Sequence, residues 1–176
     1  MGKLDAYKLP LKSLPVGKHV YDYTLDTNWF TLIDGPEVRK GKVNASVIVK
    51  NTGLMYEINL RTEGTVQVPC DRCLDDMPIE IAQESRLIVK FGSEYREESE
   101  EVIIIPEADG ELNIAWFLYE MIALAIPMKH VHLPGQCNRA MAEKLQEHTV
   151  YRADDEDEDA SNPIWDELKN LNLEDN

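Results

Sequence analysis

Cysteine is scarce in this 176-residue chain, which has three, at positions 70, 73 and 137. So few exclude a disulfide framework of the kind that staples small secreted domains. No run of 18 apolar residues occurs, so no stretch reads as a membrane-spanning helix. The opening Met1-Gly-Lys-Leu-Asp-Ala6 lacks an apolar signal segment, and the expected location is the cytoplasm. Motifs of catalysis are missing as well: there is no phosphate-cradling Gly-rich loop, no His-Glu-x-x-His and no nucleophile elbow. Positive charge is in deficit, with 18 Lys and Arg against 33 Asp and Glu, a net charge of −15. A protein that grips nucleic acid over its whole surface needs a basic face. Extensive RNA binding is therefore disfavoured, and a basic protein partner suits the charge better.

What the chain does have is 43% hydrophobic residues, enough for one core of ordinary size. The clearest pattern is a period of two. Val43, Ala45, Val47 and Val49 alternate with polar residues, and Asn51-Thr-Gly53 marks a turn. Leu54, Tyr56, Ile58 and Leu60 follow, Glu63-Gly64 reads as another turn, and Val66 and Val68 resume the alternation. Ile79, Ile81, Leu87, Val89 and Phe91 continue it, and His19–Leu25 alternates in the same way. Such runs separated by turns predict an antiparallel meander with one buried face, open or curled into a barrel. Residues 1–18 read as an extended arm along a sheet edge. Residues 26–36 read as a loop or short helical turn anchored by Trp29, Phe30 and Leu32. The acidic stretch 94–101 reads as a surface loop before a short strand at Val102–Ile105.

One convincing helix opens at Leu112-Asn113, where Asn113 can cap the first free N–H groups. Its stripe of Ile114, Phe117, Leu118, Met121, Ile122 and Ala125 is core packing against the sheet, and Pro127 ends it. A short helix follows between residues 138 and 150. The fold class is thus α+β: a meander packed by one main helix, in a single domain over residues 1–150. Residues 151–162, with Asp154-Asp-Glu-Asp-Glu-Asp159, form an acidic linker that cannot bury a core. From Tyr151 onward the charge is −8, leaving −7 for residues 1–150. Residues 163–176 carry Pro163 at a first helical position after Asn162, and Ile164, Trp165, Leu168 and Leu171 on one face. This short helix either folds back on its own domain or docks on a partner through Pro163, Trp165 and Leu168.

The chemistry of the chain converges on two stretches, Val66-Gln-Val-Pro-Cys-Asp-Arg-Cys-Leu74 and Ile126-Pro-Met-Lys-His-Val-His-Leu-Pro-Gly-Gln-Cys137. A Cys-x2-Cys turn lets both sulfurs face one point, with main-chain N–H groups free to donate to them. Meeting a distant His and Cys, the pair has the composition of a tetrahedral zinc site. The expected ligands of such a site are Cys70, Cys73, His132 and Cys137, with His130 as the alternative imidazole. Buried thiols also serve as small hydrophobes, and a Cys-x-x-Cys can be a redox pair, although a redox pair prefers a strand-to-helix junction. Here the pair lies between two strand-like runs, at a hairpin tip. A smaller cluster, Arg39, Lys40 and Lys42 in the 36–42 loop, is the one place where direct RNA contact is considered.

Pro-Cys-Asp-Arg-Cys-Leu on a strand hairpin, a helix ending in Leu-Ala-Ile-Pro, His-x4-Cys after it, and a tail reading Asn-Pro-Ile-Trp-Asp-Glu-Leu-Lys together resemble the YceD family, also called DUF177. The resemblance runs from about residue 15 to the end. It implies a bacterial, cytoplasmic factor needed for accumulation of large-subunit ribosomal RNA, whose gene often neighbours one for a large-subunit ribosomal protein. No enzymatic activity is established for the family. Its signature positions map to Cys70, Cys73, Pro127, His132 and Cys137, and this chain departs by carrying His130 where other members often have proline. The expectation is a non-catalytic factor that holds a large-subunit ribosomal protein or a preribosomal particle. The alternative is a zinc-assisted hydrolase acting on RNA, which would need an open metal position and a nearby general base.

Overall fold

The computed structural model of the chain describes residues 4–148. In order come β1 (Lys8–Leu9), β2 (Gly17–Leu25), α1 (Thr27–Ile33), β3 (Lys40–Asn51), β4 (Tyr56–Pro69), β5 (Asp76–Gly92), β6 (Arg96–Ser99), β7 (Val102–Pro106), β8 (Leu112–Asn113), α2 (Ala115–Leu124) and α3 (Arg139–His148). A six-stranded sheet runs in the order β2-β3-β4-β5-β7-β6 and does not close into a barrel. Its first four strands form the antiparallel meander, whereas β7 joins β5 in parallel. The expected linker over 151–162 and the segment 163–176, with Pro163, Trp165 and Leu168, lie outside the described residues.

The alternation in β3 translates directly into burial. Val43, Ala45, Val47 and Val49 face the core, and their cross-strand neighbours Ile58 and Leu60 do the same. The turn after β3 is built by Asn51, whose side chain accepts the Gly53 N–H at 2.7 Å, while Gly53 supplies the positive φ of 88° that the reversal requires. Glu63-Gly64 is not a turn. β4 runs through it without interruption, and Gly64 lies opposite Val43, where a Cβ would collide with the Lys42 carbonyl. The glycine permits a close approach of two strands, which is its other common use.

Two helices cover the inner face. α1 is capped by Asp26, which accepts the Trp29 N–H at 3.0 Å, and it ends where Asp34 adopts a left-handed conformation. Trp29, Phe30 and Ile33 are buried, while Leu32 points outward. In α2, Leu118, Tyr119, Met121 and Ile122 enter the core. Ile114 is the N-cap residue of α2 and makes no side-chain capping bond, but Asn113, still in β8, accepts the first helical N–H, that of Ala115, at 3.0 Å. β8 pairs with β1, which fixes the N-terminal arm against the start of α2. The acidic stretch expected to be a loop contains β6, paired with β7. The outer face of the β2–β5 region is solvated, with cross-strand ion pairs such as Arg61–Glu84 and Arg86–Glu57. Exposed pairs of this kind contribute little to stability.

Candidate metal centre

The connection between β4 and β5 is the cysteine knuckle itself. β4 ends at Pro69, β5 starts at Asp76, and the turn is closed by Leu74 N–H to Cys70 O and Cys70 N–H to Asp75 O, both 2.9 Å. Leu74 takes φ of 64°, a left-handed conformation unusual for leucine, and its side chain is exposed. This geometry turns both cysteines inward, where they are buried.

The second half arrives from α2. After Leu124 the chain turns at Pro127 and runs under the knuckle as an irregular loop. Asp71 N–H donates to His130 O at 2.9 Å, and His130 N–H donates to Asp71 Oδ2 at 2.8 Å. Asn138 Nδ2 reaches Asp75 Oδ2 at 3.2 Å, and α3 starts immediately afterwards. Held at both ends, the loop delivers His132 and Cys137 to the knuckle.

The donor atoms of Cys70, Cys73, His132 and Cys137 all lie within 4.8 Å of one another. Cys73 Sγ and His132 Nδ1 are 3.4 Å apart. A tetrahedral ion bound at about 2.0–2.3 Å gives S···N and S···S edges of roughly 3.5–3.8 Å. The group thus fits a metal ion, one donor from each side chain. His130 stands outside it: its Nδ1 lies 3.0 Å from Pro127 O and its Nε2 3.4 Å from Asp71 Oδ1.

The electrostatics favour thiolate at one position. Burial pushes the Cys70 thiol up, but main-chain N–H groups of Cys73, His132 and Arg72 and the Cys73 side chain outweigh it, bringing the group down to about 6. The Arg72 and His132 N–H groups each lie 3.4 Å from Cys70 Sγ. Cys137 is pushed up by burial and by its hydrogen bonds with the Cys73 and Cys70 sulfurs. A cation placed among the sulfurs would favour the charged form of all of them.

Sequence reasoning missed the roles of Asp71, Asp75 and Asn138, which lock the two halves together through contacts across 59 and 63 positions. The only available signal was an aspartate between the two cysteines. The cations considered for RNA contact do not share a loop: Lys40 and Lys42 belong to β3, and Lys40 Nζ is engaged by Asp76 at 2.8 Å. Among the described residues, no helix is long and apolar enough to cross a membrane.

Comparison with curated proteins and with solved structures returns no match. A family profile described as "Large ribosomal RNA subunit accumulation protein YceD" matches residues 58–172, which include the knuckle, α2 and the loop that meets it. With most of its length matched and the Cys70–Cys137 cluster inside that span, the chain belongs to the YceD family.

Proposed function

We propose that this protein is a non-catalytic, cytoplasmic factor that sustains accumulation of large-subunit ribosomal RNA by holding a basic ribosomal protein or a preribosomal region. Membership of the family with that description is the observation that carries the reading. The acidic balance, −15 over the chain, supports a basic partner. Pro163, Trp165 and Leu168 are proposed as a docking segment beyond the acidic linker. In this reading Cys70, Cys73, His132 and Cys137 hold a structural Zn2+ ion.

The donor set also speaks for a structural role. Three sulfurs and one imidazole fill the four positions of a tetrahedral ion, whereas catalytic zinc keeps one position open. When bound, zinc would clamp the hairpin tip to the loop after α2; the residues themselves do the positioning. Deleting the gene and measuring the ratio of large- to small-subunit ribosomal RNA tests the function. A fall in that ratio, restored by the intact chain, is the expected result. An unchanged ratio would remove the reading.

A further inference from the structure

The sheet contains a long strand edge with no strand beside it. β5 pairs with β4 from Asp76 to Val89, but β7 covers only Ile88–Gly92 on its other side. From Asp76 to Leu87 that side of β5 has no strand partner among the described residues. An uncovered strand edge offers alternating N–H and C=O groups to any extended chain.

The side chains along this edge change character where it is most open. On the inner face β5 carries Ile81, Leu87 and Val89, all buried. Between them stand Gln83 and Ser85, both exposed, so the core-facing row is interrupted by polar residues. Beneath this gap a groove of about 240 Å3 runs between β5 and α2. Its floor is apolar, with Leu60, Leu87, Phe117 and Met121, and Leu124 stands at its mouth 85% exposed.

The rim is acidic. Glu84, Glu100 and Glu120 line the groove against one cation, Arg86. Arg86 lies 3.6 Å from Glu57 and Glu84 lies 3.4 Å from Arg61, so these two are matched already. Glu120 accepts the Trp116 indole N–H at 2.7 Å, and neither it nor Glu100 has a Lys or Arg partner among the described residues.

We infer that the open edge of β5 and its groove take up an extended segment of a basic protein, added to the sheet as a further strand with apolar side chains on Phe117 and Leu124 and basic ones beside Glu100 and Glu120. Strand addition satisfies the free main-chain groups, and the period of two sends alternate side chains to the groove and to the rim. Phosphate-rich nucleic acid is repelled by the same carboxylates. The chain's own tail is a poor occupant, since residues 151–176 carry ten acidic and two basic side chains. The inference deepens the basic-partner reading given above and names the surface that serves it.

The test uses the full-length protein, isotope-labelled, and a synthetic peptide of strictly alternating Lys and Val. The control peptide has the same composition with every second residue of D configuration, so that it keeps the charge but, when extended, sends all its side chains to one face and cannot reproduce the alternation of an all-L strand. The all-L peptide is expected to slow amide exchange at alternate residues between Asp76 and Leu87. Glu120→Lys and Leu124→Asp, both at exposed positions, are each expected to weaken it about tenfold while amide exchange in β3 and β4 stays unchanged. Equal binding of both peptides, or protection confined to the outer face around Arg61, overturns the proposal. So does edge protection that is present without peptide and lost in Trp165→Asp, which would make the tail the occupant. Because this assay contains no ribosomal RNA, its failure leaves the accumulation phenotype as a separate measurement, and loss of that phenotype leaves the groove standing.

Discussion

Asp71 and His130 hold each other through two bonds of opposite sense: the Asp71 main chain donates to the His130 carbonyl, and the His130 main chain donates to the Asp71 carboxylate. They lie 59 positions apart and join the hairpin tip to the loop after α2 by direct hydrogen bonds. Asp71→Ala removes one bond of the pair and its contact with the imidazole. A loss of about 1–2 kcal/mol in stability is expected, with faster zinc release to a chromophoric chelator. Unchanged melting and unchanged release would show that the clasp does not depend on this pair.

The two histidines give the sharpest contrast. His132 Nδ1 faces Cys73, whereas His130 is turned toward Pro127 and Asp71. Elemental analysis of untagged protein, purified without chelator, is expected to give one zinc per chain for the native sequence and for His130→Ala. His132→Ala is expected to lose most of it. Retention by His132→Ala together with loss in His130→Ala would reverse the assignment.

Cys73→Ser is expected to lower the melting temperature, because binding of the proposed ion would be coupled to folding of the hairpin. A strong chelator should bring the native protein down to the same temperature and leave the variant where it is. If neither treatment moves the transition, the thiols are packing groups without a structural ion.

Away from the cysteines, Tyr119 offers a test of the core. Its hydroxyl oxygen accepts the N–H groups of Glu37 at 2.8 Å and Val38 at 3.2 Å, and its ring lies over Gly35, where a Cβ would overlap it. Gly35→Ala is expected to cost about 1–3 kcal/mol by overpacking, and Tyr119→Phe about 1–3 kcal/mol through unsatisfied N–H groups. Denaturant melts of the two variants check both figures. A neutral Gly35→Ala would mean that the 34–38 turn shifts freely.

Much of this arrangement was legible in the residues, and the exceptions have physical causes. The alternation at Val43–Val49 gave β3 and its buried face, and the stripe from Ile114 to Ile122 gave α2 and the side it buries. Glu63-Gly64 misled because a glycine that permits close approach looks, in one dimension, like a glycine that turns. The acidic run around Arg96–Ser99 pairs as β6 because β7 offers it an edge, a partnership that local composition does not register. Likewise the parallel union of β5 and β7 comes from tertiary geometry. Cys70, Cys73, His132 and Cys137 were readable by residue type and meet in space, yet the His130 ring lies against Pro127 and Asp71, contacts that no spacing rule encodes.

The distance along the chain between the two halves of the cysteine cluster also sets an order of events during synthesis. Cys70 and Cys73 emerge early, on a hairpin whose strands are neighbours in sequence, and loop closure for such a hairpin is fast. Their partners follow only after a further 59 to 64 positions beyond Cys73 have been made. Until then the nascent polypeptide carries a two-sulfur half-site at the end of a formed hairpin, open to a loosely held ion. Completion of the four-donor set therefore marks the moment when α2 has settled on the sheet, and an ion held there would become a timer for the last stage of maturation.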